Sequence, residues 1–414
     1  MPTVPLVRPF RGLRPAPGRA GEVLAPPYDV VSREEARVRA AGRRWSFLRV
    51  SRPEIDLPAG ADPYSPAAYR QAAATFAAMR TEGVLVQDRE PSVYVYRLVQ
   101  GDHSQTGVVA AASVQAYETQ RIRRHELTRP DKEDDRVRHI EVLEAQTGPA
   151  LLTYRESPRI DAIVAAATSG PPEVDVLADD GVQHQLWLIC DAPSLEAMGN
   201  AFESVERVYI ADGHHRSAAA ARVAADRRAA GAPVDAPSEF FLSVLFPDVQ
   251  MRILAYHRVV RDLGGLSPAA FLERLRRAFE VEPSTRAGTP EGPGVFGLYL
   301  PGGWHRLAVR PALVPSDDPV RRLDASLLSE HLLGPVLGIT DLRRDPRIDF
   351  VGGNRSAGAL ERLVDTGQAA AAFALSPTRI TDLMAVADAG LLMPPKSTWF
   401  EPKLADGLVS HLLT

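Results

Sequence analysis

The stretch that most constrains this chain runs from Arg207 to Ala221, RVYIADGHHRSAAAA. Val208, Tyr209 and Ile210 read as a short buried strand, and Ser217 opens an Ala-rich helix. Asp212 to Arg216 must then turn a strand into a helix within five residues. The first turn of a helix leaves N–H groups without acceptors and carries a partial positive charge, a combination that favours an anion. Gly213 allows a ligand close to the backbone, or a positive φ. Asp212 can hold a divalent cation, His214 and His215 can donate to phosphate oxygens, and Arg216 can grip them through paired N–H bonds. The plain alternative makes Asp212 a helix N-cap and the rest a polar surface.

At 414 residues the chain is too long for one ordinary core, so two or three domains are expected. A net charge of −4 gives no general attraction to nucleic acid or anionic membrane. The single cysteine, Cys190, excludes an internal disulfide and suits a reducing compartment; its apolar run, Leu186–Cys190, suggests a buried structural thiol. The first residues lack the apolar core of a signal peptide and no apolar run reaches membrane-spanning length, so a cytoplasmic protein is expected. Of the 48 basic residues only Lys132, Lys396 and Lys403 are lysines. A lysine kept against such a bias points to a place that needs a compact ammonium. Lys132 joins the phosphate-binding candidates on that ground.

Three further stretches carry candidate chemistry. Near the start, Ala25-Pro26-Pro27-Tyr28-Asp29-Val30 has two prolines that stiffen the backbone and present Tyr28 and Asp29; the alternative is a turn ahead of a Ser32–Ala41 helix capped by Ser32. In the most charged part of the chain, Pro130 suits the first position of a helix and the acids after it suit its positive end. A solvated helix explains those acids, but not His125-Glu126 in the connection before it. Near the C-terminus, Pro394-Pro395-Lys396-Ser397-Thr398 offers an ammonium and two hydroxyls in a row, suited to a phosphate or carboxylate, with an exposed loop as the alternative.

Short helices and strands follow one another without regular βα alternation, which indicates an α+β fold. Expected elements include a Trp45–Val50 strand, a hairpin of Ser92–Val99 with Thr106–Val114, and a Pro268–Glu280 helix. The Pro-rich connection 231–239 is a plausible boundary. Three segments are expected: 1–115 with the PPYD motif, 116–232 as a core around DGHHR, and 233–414 ending in the PPKST loop.

In this combination the chain resembles a widespread prokaryotic family catalogued as a domain of unknown function, which carries APPYDV near its start, DGHHR midway and PPKST near its end. The resemblance covers essentially the whole length. The DGHHR corner also resembles that of the ParB/sulfiredoxin-like superfamily, in particular its free-serine kinases. Those carry a His-Glu pair before a helix, then DGHHR, then a Pro-Lys-Ser/Thr-Thr loop. The matching positions are His125-Glu126, Asp212 to Arg216, and Pro395 to Thr398. The resemblance implies a ParB/sulfiredoxin-like nucleotide-binding core with additional N- and C-terminal α+β segments. It implies phosphoryl transfer from ATP or ADP, with Mg²⁺, to the hydroxyl of free L-serine or a similar metabolite. Glu126 would accept the hydroxyl proton, with Asp212 and His215 also catalytic and Asp212 near the metal. Gly213, His214, His215, Arg216 and Lys132 would hold the nucleotide's phosphates. His125, Lys396, Ser397 and Thr398 would meet the acceptor, and Tyr28 and Asp29, from the PPYD motif, are further candidates for it. This chain is longer than those kinases and has its own PPYDV motif, so a shared fold with a changed acceptor stays open.

The rivals are weaker. Sulfiredoxin chemistry needs a cysteine at the corner, and Cys190 lies elsewhere. No basic recognition helix favours DNA. A metal hydrolase would need His214 and His215 on one ion, but adjacent helical residues point about 100° apart. A nucleotide-binding regulator without kinase activity remains the alternative; it would keep DGHHR and have no use for Glu126 as a base.

Overall fold

The computed structural model describes residues 4–285 and 290–414. They form two compact α+β units, one of residues 4–251 with 402–414 and one of residues 252–285 with 290–401.

In the first unit a nine-stranded sheet is built from β1 (Val7–Arg8), β2 (Val93–Gln100), β3 (His103–Ser113), β4 (Ile122–Arg123), β5 (Ala150–Tyr154), β6 (Val174–Leu177), β7 (Gln183–Ile189), β8 (Val208–Asp212) and β9 (Phe240–Pro247). The order is β4-β8-β5-β9-β3-β2-β7-β6, with β1 beside the end of β3. β4/β8 and β5/β9 are parallel pairs and the other pairs are antiparallel. The strand after the connection 231–239 is β9, which lies in the middle of this sheet. Burial explains the composition. Val93, Val95, Val108, Leu152, Val208 and Ile210 are almost wholly enclosed, the β-branched pattern of strands covered on a face. Tyr154 meets Phe202 edge to face at 5.4 Å, and burying each such ring contributes about 2 kcal/mol.

Three helices frame the corner. α1 (Pro66–Thr81) starts at the Ser65 cap, α2 (Pro130–Leu143) has Pro130 at its first position, and α3 (His214–Ala229) follows β8. α3 is alanine-rich for a packing reason: Ala219 and Val223 pack on Val137 and Ile140 of α2, while Ala220 and Ala224 face the sheet core. Only small side chains let a helix approach on both sides at once.

The second unit has a six-stranded antiparallel sheet: β10 (Tyr256–Val260), β11 (Phe279–Ser284), β12 (Val295–Leu300), β13 (Gly303–Val309), β14 (Ile348–Gly352) and β15 (Ala371–Ala374), ordered β11-β13-β12-β15-β10-β14. Phe271, Phe279, Phe296 and Phe373 centre its core.

The capped Arg33–Ala40 helix and the β2/β3 hairpin match the sequence reading, with Ser32 and Glu35 forming a full capping box. Three expectations need correction. Trp45–Val50 is no strand: Leu48–Ser51 is one helical turn followed by a 3₁₀ turn at Pro53–Asp56. A run of six residues is too short for periodicity to separate the two. The helix from Pro268 ends at Leu275, and Phe279 onward is β11. Cys190 is exposed, because it sits just past the end of β7, whose last residue, Ile189, takes the core position. No described helix is long and apolar enough to cross a membrane.

Candidate functional site

Gly213 makes the strand-to-helix corner. Its φ of +92° lies in the left-handed region, and a Cβ there would sit 3.1 Å from the Ala150 Cα. Helix α3 therefore begins at His214, and the Ser217 N–H closes its first turn on the Gly213 carbonyl. The N–H groups ahead of Ser217 have no acceptor within the helix.

Asp212 is not the N-cap. It ends β8, accepts the Gly213 N–H on Oδ1 at 2.7 Å, and accepts the Lys403 ammonium on Oδ2 at 3.0 Å. Burial raises its pKa, but Lys403 and Arg216 outweigh that and hold the carboxyl well below the usual carboxylate range. The Asp212 side chain keeps 32% of its surface exposed, so it can still reach a ligand.

The two histidines are oriented by backbone donors from the connection before α2. The His125 N–H donates to His214 Nε2 at 3.4 Å, and the Arg129 N–H donates to His215 Nε2 at 3.0 Å. Burial lowers both pKa values, so the rings are neutral near pH 7. A neutral imidazole accepting at Nε2 carries its proton on Nδ1. In His214 that nitrogen lies 4.0 Å from Glu126 Oε2. In His215 it is a donor at the head of α3. His125 itself is buried, its ring edge-on to His214 at 4.5 Å, and burial holds it neutral with a pKa pushed down to about 4.

Arg216 is anchored on its far side. It donates to the Pro149 carbonyl and, at 3.1 Å, to Asp29 Oδ2. Tyr28, next to Asp29, lies under the Arg136 guanidinium at 3.9 Å and within 5.9 Å of that of Arg216, while Arg136 pairs with Asp135 at 2.6 Å. Asp406 is buried among these groups; burial pushes its pKa up to about 7 against the pull of Arg216. Gly148 is tight here, since a Cβ would come 3.4 Å from Asp406 Oδ1 and 3.5 Å from Arg216 Cδ.

The fold thus gathers Tyr28, Asp29, His125, Glu126, Asp212, Gly213, His214, His215 and Arg216. Lys132 stands off on α2, its ammonium donating to the Tyr64 hydroxyl at 2.7 Å. Sequence reasoning missed Lys403, Asp406 and Arg136 as site residues. The scarcity of lysine was the one signal for Lys403. Asp406 and Arg136 look like ordinary surface charges in sequence.

Lys396, Ser397 and Thr398 belong to the second unit. There the Lys396 carbonyl accepts from buried Arg258 at 2.9 Å, and Lys396 takes a φ of +59°. Ser397 Oγ donates to the Pro394 carbonyl, and the Ser397 carbonyl accepts from Thr378 Oγ1, both at 2.7 Å. Only the Lys396 side chain is exposed.

Among the described residues, no three His, Cys, Asp or Glu side chains converge as a metal cage. Magnesium commonly takes one or two carboxylates and completes its shell with phosphate oxygens and water. Asp212, partly exposed at the head of an anion-favouring helix, fits that shared arrangement and not a protein-only cage.

Against known proteins, the family model described as a protein of unknown function, DUF1015, matches residues 7–326. No curated protein matches the chain. Solved structures that resemble it include a free serine kinase in complex with AMP, at 13% identity and a TM-score of 0.36 over 73% of this chain and 92% of that one. SbnI with a C-terminal truncation, from Staphylococcus aureus, has 14% identity and a TM-score of 0.37 over 72% and 85%. A conserved hypothetical protein from Pyrococcus furiosus has 14% identity and a TM-score of 0.35 over 75% and 98%. Similarity at that level does not establish a common fold.

Proposed function

The chain belongs to the DUF1015 family, and we propose that it is a nucleotide-dependent kinase acting on the hydroxyl of a small metabolite, free L-serine or a similar hydroxylated amino acid. The observation that carries this reading is the Glu126 carboxylate 4.0 Å from His214 Nδ1, beside the head of α3. An anion-favouring helix end with a general base beside it is what phosphoryl transfer to an alcohol needs. A regulator that only binds nucleotide needs the helix end and not the carboxylate.

In this reading the free N–H groups of α3, the Nδ1–H of His215 and the Arg216 guanidinium hold the donor's phosphates. Arg216 acts from a fixed position because Asp29 and the Pro149 carbonyl restrain it. Asp212 would hold a magnesium ion shared with those phosphates, which supplies charge neutralisation on the phosphoryl group. Glu126 accepts the acceptor's hydroxyl proton as that oxygen bonds to phosphorus, and the bond from phosphorus to the leaving nucleotide breaks. The His214 Nδ1–H, 4.0 Å away, is beyond hydrogen-bond reach of Glu126 and turns the positive end of its dipole toward the carboxylate. Lys396, Ser397 and Thr398 in the second unit remain candidates for the acceptor by resemblance to the free-serine kinases of the ParB/sulfiredoxin-like superfamily, and Lys132 remains a candidate for the phosphates on the scarcity of lysine.

The test is product analysis. Full-length protein with Mg²⁺, ATP, ADP or CTP, and a panel of hydroxylated amino acids is followed by phosphorus NMR. A new phosphomonoester is the expected result. Nucleotide loss without one, or binding without turnover, would favour the regulator.

A further inference from the structure

In the kinase reading Asp212 holds a divalent cation, yet the fold already sets a cation on it. The Lys403 ammonium donates to Asp212 Oδ2 at 3.0 Å, and Asp212 Oδ1 accepts the Gly213 N–H at 2.7 Å. The Asp212 side chain is 32% exposed, so a metal ion can approach it, but there it meets an ammonium already on Oδ2 and the two repel. Lys403 and a divalent cation therefore compete for one carboxylate.

Two cationic side chains, Lys403 and Arg216, act on Asp212, and they differ in freedom. Arg216 is anchored by the Pro149 carbonyl and by Asp29. Lys403 has a compact ammonium on a flexible stem, which passes between neighbouring acceptors without realigning a planar fork. Lysine stands here in a chain where only three of 48 basic residues are lysines. Its side chain is 18% exposed, so water screens the charge incompletely and an anion beside it counts. One residue past Asp212, Gly213 leads into α3, whose first N–H groups favour an anion. An anion seated there lies beside the acceptor that Lys403 already uses.

We propose that Lys403 is an exchangeable counter-ion: it neutralises Asp212 in the free protein and passes to a phosphate oxygen of the nucleotide when a divalent cation takes the carboxylate. The inference rests on the nucleotide reading above and adds to it a residue that contacts the donor's phosphates. Exchange leaves no charge unpaired, since the carboxylate keeps a cation and the ammonium gains an anion. A lysine that only tied the C-terminal segment to β8 would not distinguish an added cation from an added anion.

The test titrates two ions separately into full-length wild type, Lys403→Met, Lys403→Arg and Asp212→Asn. One is Mn²⁺ alone, a stand-in for Mg²⁺ read by its EPR signal; the other is ADP in EDTA, read by calorimetry. Lys403→Met should bind Mn²⁺ roughly tenfold more tightly, because the competing ammonium is gone. The same variant should bind metal-free ADP about tenfold more weakly, the size of one lost charge-assisted hydrogen bond. Lys403→Arg keeps the charge and should gain no Mn²⁺ affinity. Asp212→Asn should lose Mn²⁺ and bind metal-free ADP more tightly than wild type, since its lysine is released. Shifts of Mn²⁺ and ADP in the same sense in Lys403→Met, or either affinity unchanged there, overturn the exchange. So does a weaker hold on ADP in Asp212→Asn, which keeps the test open should Lys403→Met fail to fold. Turnover is scored separately by phosphorus NMR. Opposite shifts without a phosphomonoester keep the exchange and remove the kinase; a phosphomonoester with shifts in one sense does the reverse. Wild type that binds no ADP removes both.

Discussion

Two loops of this chain look alike as sequence and differ as structure. Asp212–Arg216 and Pro394–Thr398 each combine a stiff or special backbone with polar side chains suited to an anion, histidines and an arginine in the first and a lysine and two hydroxyls in the second. In the folded chain the first draws in partners from distant segments: Asp29 on Arg216, Lys403 on Asp212, and the connection 125–129 on both histidines. The second turns its one buried hydroxyl back on itself, Ser397 on the Pro394 carbonyl, and the groups that reach it from elsewhere, Thr378 and Arg258, hold only its backbone carbonyls. Anion-suited residue types are therefore not enough to mark a site. What separates the two is where their hydrogen-bonding capacity goes: into positioning groups that stay available, or into the loop itself.

The sharpest way to break this contrast is at Glu126. Glu126→Gln should lower turnover roughly 10³-fold, within the range for removing a general base, while leaving nucleotide affinity within about twofold. Steady-state kinetics beside calorimetric titration would read both, and a modest fall in turnover would place the chemistry elsewhere.

Next in size is the corner's backbone. Gly213→Ala should destabilise the protein by about 2 kcal/mol, because a left-handed φ and a 3.1 Å approach to Ala150 both penalise a side chain. Chemical denaturation gives the value; no loss of stability would mean the turn relaxes freely. Lys403→Met should cost a little less, about 1–2 kcal/mol, since the pair with Asp212 is partly exposed and falls short of a fully buried one. The same variant should weaken nucleotide binding, which Ser397→Ala should not do, at about 1 kcal/mol of stability for its lost bond.

Much of the corner is legible in the amino-acid sequence, because strand, glycine, paired histidines and arginine occur consecutively and the helix-end physics is local. The placement of His125-Glu126 in a connection, and of Pro130 at a helix start, is legible for the same reason. What is not legible is long-range. Nothing near Asp406 announces that it ends beside Arg216, and Arg136 looks like one more charge on a polar helix. Tyr28 and Asp29 stand out only through their prolines. The helical turn at Leu48–Ser51 reads as a strand because a single turn is too short to show the pattern that separates the two.

The effect spread most widely over the chain is on pH dependence. Burial lowers His125, His139, His184 and His411 in the first unit to about 4, whereas in the second unit only His257 is placed so low. An unfolded histidine binds a proton below about pH 6.5, so between there and pH 4 the unfolded state holds more protons and stability falls as pH falls. Asp406 works the other way, because its raised pKa lets the folded state bind a proton between about pH 4 and 7. Melting temperature should therefore drop from pH 7 to pH 5, and drop more steeply in Asp406→Asn. Hydrogen exchange followed by segment should place the larger loss of protection in the first unit; an even loss across both would contradict the assignment.

The most direct single measurement is a one-turnover reaction of wild type and Glu126→Gln, each loaded with Mg²⁺-nucleotide and L-serine and quenched for phosphomonoester. A product in wild type that is absent from a variant still holding its nucleotide is the expected result. Equal product in both, or none from wild type with any donor and hydroxylated amino acid, would contradict phosphoryl transfer at this corner.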